Sequence, residues 1–215
     1  MAKAAKKTKK AKPKAGVPLW KRPYVWLRKW ILRGMLGFVA LFFVWILAYT
    51  VINPPTTAYI VSEGKRLGSI DREWVPIEEV ASVLPRSIIA AEDANFCQHW
   101  GFDMGAIRAA IEAGSNRGAS TLTQQVVKNT FLWHGRSWVR KGMEALITPV
   151  VELIWTKRRI VEVYLNVAEF DEGVFGVDAA ADHYFGVSPS DLSATQAARL
   201  AAILPNPKGR SAKNP

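Results

Sequence analysis

Nineteen consecutive residues, Gly34 to Ile52 (GMLGFVALFFVWILAYTVI), carry no charge, and no other feature of the 215-residue chain limits its folding so strongly. As a helix rising about 1.5 Å per residue, the stretch comes close to the thickness of a bilayer's hydrocarbon core, so it is long enough to span. A buried core helix and a cleaved signal peptide are the competing readings. The stretch is long for a signal core, the tail before it is extended and no A-x-A cleavage site follows, so a retained anchor is expected. Lys21, Arg22, Arg28, Lys29 and Arg33 crowd its N-terminal flank, whereas Asn53-Pro54-Pro55 follow it. That asymmetry predicts a cytoplasmic N-terminus, with Trp26 and Trp30 at the level of an interfacial aromatic belt.

The same stretch divides the charge. Of the 29 Lys and Arg residues, 12 precede Gly34 and none of the 18 Asp and Glu does, while residues 53–215 carry 17 basic groups against 18 acidic ones. The formal net charge of +11 therefore belongs to the tail, and a nucleic-acid-binding domain loses its main support. The run MAKAAKKTKKAKPK has no apolar face and no aromatics. It reads as a disordered polycation lying against anionic lipid head groups, ahead of a nucleic-acid-binding arm. The predicted organisation is a basic cytoplasmic tail at 1–33, a transmembrane helix at 34–52 and an extracytoplasmic domain at 53–215. A lone cysteine, Cys97, excludes an intramolecular disulfide, so the outer domain must be held by its core, for which its length of about 160 residues is enough.

Within that domain, TTAYIV and a second segment ending at Ile70 predict a small β-hairpin around Glu63-Gly64. The remainder reads as helical. Pro85 opens a helix over PRSIIAAED, and Thr121 with Gln124 forms a capping box before TLTQQVVKNTFL. Ser137 caps a long helix through RKGMEALITPVVELIW, in which Pro149 predicts a kink. Thr156 starts a helix to Asn166, and Ser193 with Gln196 starts another. Glycines 173, 176 and 186 predict tight turns around a short helix at Val177–Tyr184. The expected fold class is mainly α, with little sheet.

Three segments carry chemistry. Glu92 and Asp93 end the apolar run SIIAA, where partial desolvation suits a carboxylate to general-base work. Taken alone, a solvated helix end is the favoured reading. His99 alone reads as a structural hydrogen-bonding residue, and no second His or Cys stands at zinc-ligand spacing. In GASTLTQQVVKN, a helix start with free N–H groups can bind an anion, and Lys128 lies two turns from Thr121 on the same face. A capped helix with a solvated lysine is the alternative. Arg140, Lys141 and Glu144 share a face of the long helix, either as an exposed ladder or as the wall of a cleft. If that face lines a cleft with Glu92, two carboxylates and several cations would suit glycosyl chemistry with a phosphorylated leaving group.

In order along the chain, these segments resemble the glycosyltransferase family 51 domain of peptidoglycan synthesis, in its monofunctional biosynthetic form. The resemblance rests on E-D-x-x-F-x-x-H-x-G at Glu92, Asp93, Phe96, His99 and Gly101; on G-x-S-T-L-T-Q-Q-x-x-K-N from Gly118 to Asn129; and on R-K-x-x-E at Arg140, Lys141 and Glu144. Thr156-Lys157 through Tyr164-Leu165-Asn166, then Gly173-Val174-Phe175-Gly176 and Leu204-Pro205-Asn206-Pro207, continue it, so that it covers residues 56 to 207.

The resemblance implies a lysozyme-like helical domain with a membrane-associated jaw, to which Phe131, Leu132, Trp133 and Trp138 belong if they are not core. It implies polymerisation of lipid II onto a growing lipid-linked glycan at the outer face of the bacterial inner membrane. Glu92 and Glu144 would be the catalytic carboxylates. Asp93, Phe96, His99, Thr121, Gln125, Lys128, Asn129, Arg140 and Lys141 would bind or orient the substrates. No cofactor is required, although a divalent cation (Mg or Mn) near the pyrophosphate is compatible; its ligands stay open. A muralytic enzyme that cleaves glycan strands, and a non-catalytic scaffold, are the rival functions. The family usually continues past the P-N-P motif into a further helical segment, whereas this chain ends at GRSAKNP: either the sequence is truncated or that segment is absent, with a cost expected in stability or jaw packing. No transpeptidase domain follows, so cross-linking is expected from partner transpeptidases, in company with division or elongation proteins.

Overall fold

The apolar stretch lies inside a longer helix, α1 (Arg22–Ala48), so the helix starts twelve residues before Gly34 and its last four expected residues form a turn instead. The computed structural model describes residues 22–114, 118–135 and 137–213. The basic run at 1–14 and its expected polycationic tail lie outside the described residues. Pro23–Ala48 is long and apolar enough to cross a membrane, and almost none of it is buried in protein, unlike the core helix of a soluble domain. Arg28, Lys29 and Arg33 sit on its N-terminal part, where long basic side chains reach toward an interface.

Residues 46–213 form a separate unit. The expected hairpin is a helix, α2 (Ala58–Leu67), and the reason is local. Thr57 caps it by accepting the Ile60 N–H, Ile60 and Glu63 turn inward three residues apart, and Gly68 ends it in the left-handed conformation. The β-branched run that suggested a strand is overridden by this cap and by burial of one helical face.

The helix α3 (Val83–Glu92) starts two residues before Pro85, which occupies its first turn, where a missing N–H breaks no helical bond. Asp93 lies just outside it as the C-cap. Next come a 3-10 turn (Phe96–Gln98) and α4 (Met104–Glu112), the latter capped by Asp103 and not foreseen. The capping box of Thr121 and Gln124 opens α5 (Leu122–Phe131) as predicted. Ser137 opens α6 (Trp138–Ile154), which continues through Pro149 with that ring on its exposed side. Thr156 opens α7 (Lys157–Val167). A short antiparallel pair, β1 (Glu169–Asp171) and β2 (Val174–Phe175), leads into α8 (Val177–Phe185), and the Ser193–Gln196 box opens α9 (Ala194–Ile203). The turn glycines 173, 176 and 186 all have positive φ.

Core packing places α5 between α6 and α7, and α3 against α9. Leu122, Val126, Val127, Ile160, Val163 and Leu165 are fully buried there. Each such side chain contributes about 1.5–3 kcal/mol by leaving water. Phe131 and Leu132 join this core, so the jaw expectation fails for them, whereas Trp133 and Trp138 are 44% and 93% exposed.

The Asn53–Thr57 linker is held rather than loose. Arg159 donates to the Tyr49 and Ile52 carbonyls at 3.0 and 2.9 Å and to Asn53 Oδ1 at 3.0 Å. Arg72 donates to the Pro54 and Pro55 carbonyls at 2.9 and 2.6 Å, and Trp155 Nε1 to the Ile46 carbonyl at 2.9 Å. Carbonyls at the end of a helix lack intrahelical partners, and here side chains of the folded domain supply them.

Candidate active site

Glu92 ends α3 half-buried, and its Oε2 accepts a hydrogen bond from Gln125 Nε2 on α5 at 2.7 Å. Two clefts meet at this bond. One, of about 330 Å³, is lined by Glu92, Asp93, Asn95, Asp103 and the Gly118–Thr121 segment. The other, of about 290 Å³, is lined by Gln125, Lys128, Asn129, Tyr164 and the Leu204–Lys208 loop, with Tyr59, His134 and Glu169.

The expected anion site at the start of α5 is already filled from within the chain. Asp93 Oδ2 accepts the Leu122 N–H at 2.9 Å, and the capping box takes the N–H groups of Thr121 and Gln124. A buried carboxylate at a helix N-terminus is the anion the dipole favours, so this end orients Asp93 instead of recruiting a ligand. Asp93 Oδ1 pairs with His99 Nε2 at 2.8 Å. The Gly101 N–H donates to His99 Nδ1 at 3.2 Å, so Nδ1 is the acceptor and the proton sits on Nε2, facing Asp93. The Thr121 hydroxyl donates to the Gly101 carbonyl at 2.7 Å. Gly101 has φ +87, and a Cβ there would come within 2.5 Å of Thr148 Cγ2, which explains the glycine. Asp93, His99, Gly101 and Thr121 thus form one structural knot beside Glu92.

Phe96 is buried and lines neither cleft, with the Lys157 ammonium 4.3 Å from its ring centre. Lys157 also donates to the His99 carbonyl and to Glu152, both at 2.8 Å, and Glu152 accepts from Thr123 Oγ1 at 2.5 Å. Glu152 is one residue that sequence reasoning passed over. Its signal was a lone carboxylate inside the apolar run VVELIW, which can be buried only with a partner.

The third segment forms the cluster its spacing suggested. Glu144 is buried, receiving Arg140 Nη1 at 2.8 Å and the Lys141 ammonium as a second ion-pair partner. Lys141 also reaches Ser120 Oγ at 3.4 Å, which ties α6 to the loop before α5. Lys128 faces this cluster, and among the described residues its ammonium has neither a hydrogen bond nor an ion-pair partner. Burial pushes its pKa down against the pull of Glu144, with Arg140 and Lys141 pushing the same way as burial and Glu92 opposing. A half-buried cation that feels two carboxylates and two more cations, with no partner of its own among the described residues, is chemically able to attract an anion. Asn129, buried along the same cleft, offers amide groups to it.

Tyr59, His134, Glu169 and Lys208 were not singled out from the sequence. Tyr59 donates to Glu169 Oε2 at 2.5 Å and stacks on His134 with ring centres 3.4 Å apart. Lys208 bridges Glu63 and Glu169 at 2.8 and 3.4 Å. No periodicity marks residues 110 apart as partners.

A mainly helical domain holding this carboxylate-and-cation cleft matches the Transglycosylase family over residues 61–215. The chain belongs to that family and is a glycosyltransferase. It is 59% identical over its whole length to a biosynthetic peptidoglycan transglycosylase of Jannaschia sp. (strain CCS1), covering 88% of that protein. Proteins of the same name from Pseudomonas fluorescens (strain SBW25) and Yersinia pestis (strain Pestoides F) are 52% and 46% identical, over 79% and 87% of this chain and 75% and 83% of theirs.

Proposed function

We propose that the protein is a membrane-anchored peptidoglycan glycosyltransferase that polymerises lipid II into β-1,4-linked glycan strands and releases undecaprenyl pyrophosphate. The α1 helix anchors it in the bacterial cytoplasmic membrane with the N-terminus inside, and the unit beyond it works on the outer face. The observation that carries the reading is the unpartnered Lys128 ammonium beside the Arg140–Lys141–Glu144 cluster, with Glu92 at the meeting of two clefts. A transferase needs room for two substrates and a base between them, and a pyrophosphate leaving group needs cations more than an acid.

In this mechanism Glu92 takes the proton from the 4-hydroxyl of the acceptor as that oxygen attacks the anomeric carbon of the donor. The bond from that carbon to the phosphate oxygen breaks, and its electron pair leaves on the pyrophosphate. Attack opposite the leaving group turns α into β. Lys128, Arg140 and Lys141 stabilise the departing anion, and Glu144 fixes the last two. Asp93, His99 and Thr121 hold the loop that follows Glu92, Gln125 orients its carboxylate, and Asn129 contacts the sugar or phosphate. Phe96 supports from the core. Both substrates are lipids, so an enzyme confined to the same surface meets them at raised effective concentration. Trp133 and Trp138 contact the bilayer interface.

The donor set does not suit a divalent metal held by protein side chains alone. Both oxygens of Glu144 are taken by Arg140 and Lys141, and no three metal-ligating side chains gather among the described residues. No step is therefore assigned to a metal, and polymerisation measured with and without a chelator tests whether a cation carried by the pyrophosphate itself takes part.

The test is incubation of the purified protein with labelled lipid II. Long glycan is expected, and Glu92→Gln should nearly abolish it while lipid II still binds. If preformed strands are shortened and lipid II is left intact, the enzyme is muralytic. If the variant polymerises as well as the wild type, Glu92 leaves the mechanism.

A further inference from the structure

Behind Gln125 lies a group to which no role has been assigned. Tyr164, on α7, is buried, and its hydroxyl donates to Gln125 Oε1 at 3.3 Å. Gln125 Nε2 donates in turn to Glu92 Oε2 at 2.7 Å. These two bonds are interdependent. A carboxylate can only accept, so the Gln125 amide must present its nitrogen to Glu92 and therefore its oxygen to Tyr164. An amide turned the other way would set a carbonyl oxygen against the carboxylate and an N–H₂ against the tyrosine hydroxyl. Gln125 is only half-buried and lines the open 290 Å³ cleft, so its own packing does not choose between the two orientations.

We propose that Tyr164 is a positioning residue for the transfer reaction: its buried hydroxyl anchors the far side of the Gln125 amide, in the orientation the Glu92 carboxylate sets, so that Glu92 is held by Oε2 and presents its other oxygen, Oε1, to the acceptor hydroxyl. The inference rests on Glu92 being the base. Burial, followed by the charge of Glu92, raises the Tyr164 phenol well above its ordinary range, so it remains a donor at every working pH. The placement is rigid because α5 and α7 pack along their length, with Val126, Val127, Ile160 and Val163 buried around the pair. Tyr164 acts through Gln125 and touches no reacting atom.

The test is a double-mutant cycle on the full chain in lipid II polymerisation, with kcat and KM measured separately. Tyr164→Phe keeps the ring and removes only the hydroxyl. It should lower kcat about 3- to 10-fold, the size of one neutral hydrogen bond, with KM nearly unchanged. In a Gln125→Leu background the same change should have no further effect on kcat. Wild-type kcat in Tyr164→Phe, or equal losses in both backgrounds, would overturn the proposal and return Tyr164 to core packing. If Tyr164→Phe does not fold, Gln125→Leu alone tests the link, because it removes the N–H that Glu92 accepts without placing a second carboxyl beside it. Full activity there would sink the proposal as well. Glu92→Gln, measured alongside, separates the two ideas: an active Glu92→Gln removes the base, whereas an inactive one with an unaffected Tyr164→Phe removes only the relay.

Discussion

Gly101 and His134 are the residues whose surroundings yield the clearest physical tests. Gly101→Ala would force a Cβ to within 2.5 Å of Thr148 Cγ2 and 3.1 Å of Glu152 Cγ, at a φ of +87 that side chains avoid. The expected loss is about 2–3 kcal/mol in thermal or denaturant unfolding, because both the strain and the clash fall on a packed junction. His134 stacks on Tyr59 with its outer edge exposed, and desolvation, then Lys128 and Arg140, push its pKa down to about 4. The unfolded chain binds this proton near pH 6.5, so between that pH and about 4 it holds more protons than the folded one. The stability contribution is therefore complete above about pH 6.5 and is lost as the pH falls toward 4. His134→Gln should flatten the fall of the melting temperature across that window, and the imidazole should titrate near 4 by NMR.

Among the elements, α7 has the widest structural reach. Its Arg159 holds the Tyr49 and Ile52 carbonyls and pairs with Glu162 at 3.1 Å, while Asn166 exchanges hydrogen bonds with the backbone of Val75 at 2.8 and 2.9 Å. Arg159→Ala would leave Glu162 largely buried without its cation and three acceptors in the 49–53 turn without a donor. A loss of about 3 kcal/mol is expected. Limited proteolysis at 49–57 should be faster in the variant, because that segment would lose the contacts that hold it to the domain.

For the whole molecule, the prediction concerns partition. A 26-residue apolar helix with almost no buried surface should keep the protein in the membrane fraction through a high-salt or alkaline wash and release it into detergent. Release by salt alone would mean that the chain is held by charge, and would refute the anchor.

What the sequence determined by itself is what neighbours within about four residues decide. The apolar helix α1, long enough to cross a membrane, follows from one uninterrupted run. The starts of α5, α6, α7 and α9 follow from Thr121, Ser137, Thr156 and Ser193, each bonding an N–H three residues on. The pairing of Arg140 and Lys141 with Glu144 follows from helical spacing. Those motifs, taken in order, also carried the family. The local evidence failed at α2, where a β-branched run suggested a strand but a cap and one buried face made a helix.

Only the tertiary structure decided what the motif residues touch. Gln125 reaches Glu92 across 33 residues, Leu122 reaches Asp93 across 29, and Arg159 reaches Tyr49 across 110. It turned the start of α5 from an open anion site into the seat of Asp93, left Lys128 without a partner among the described residues, and brought Tyr164 behind Gln125. The reason is that the path by which a chain returns on itself is chosen by the joint burial of many apolar side chains, and no spacing between two residues records it.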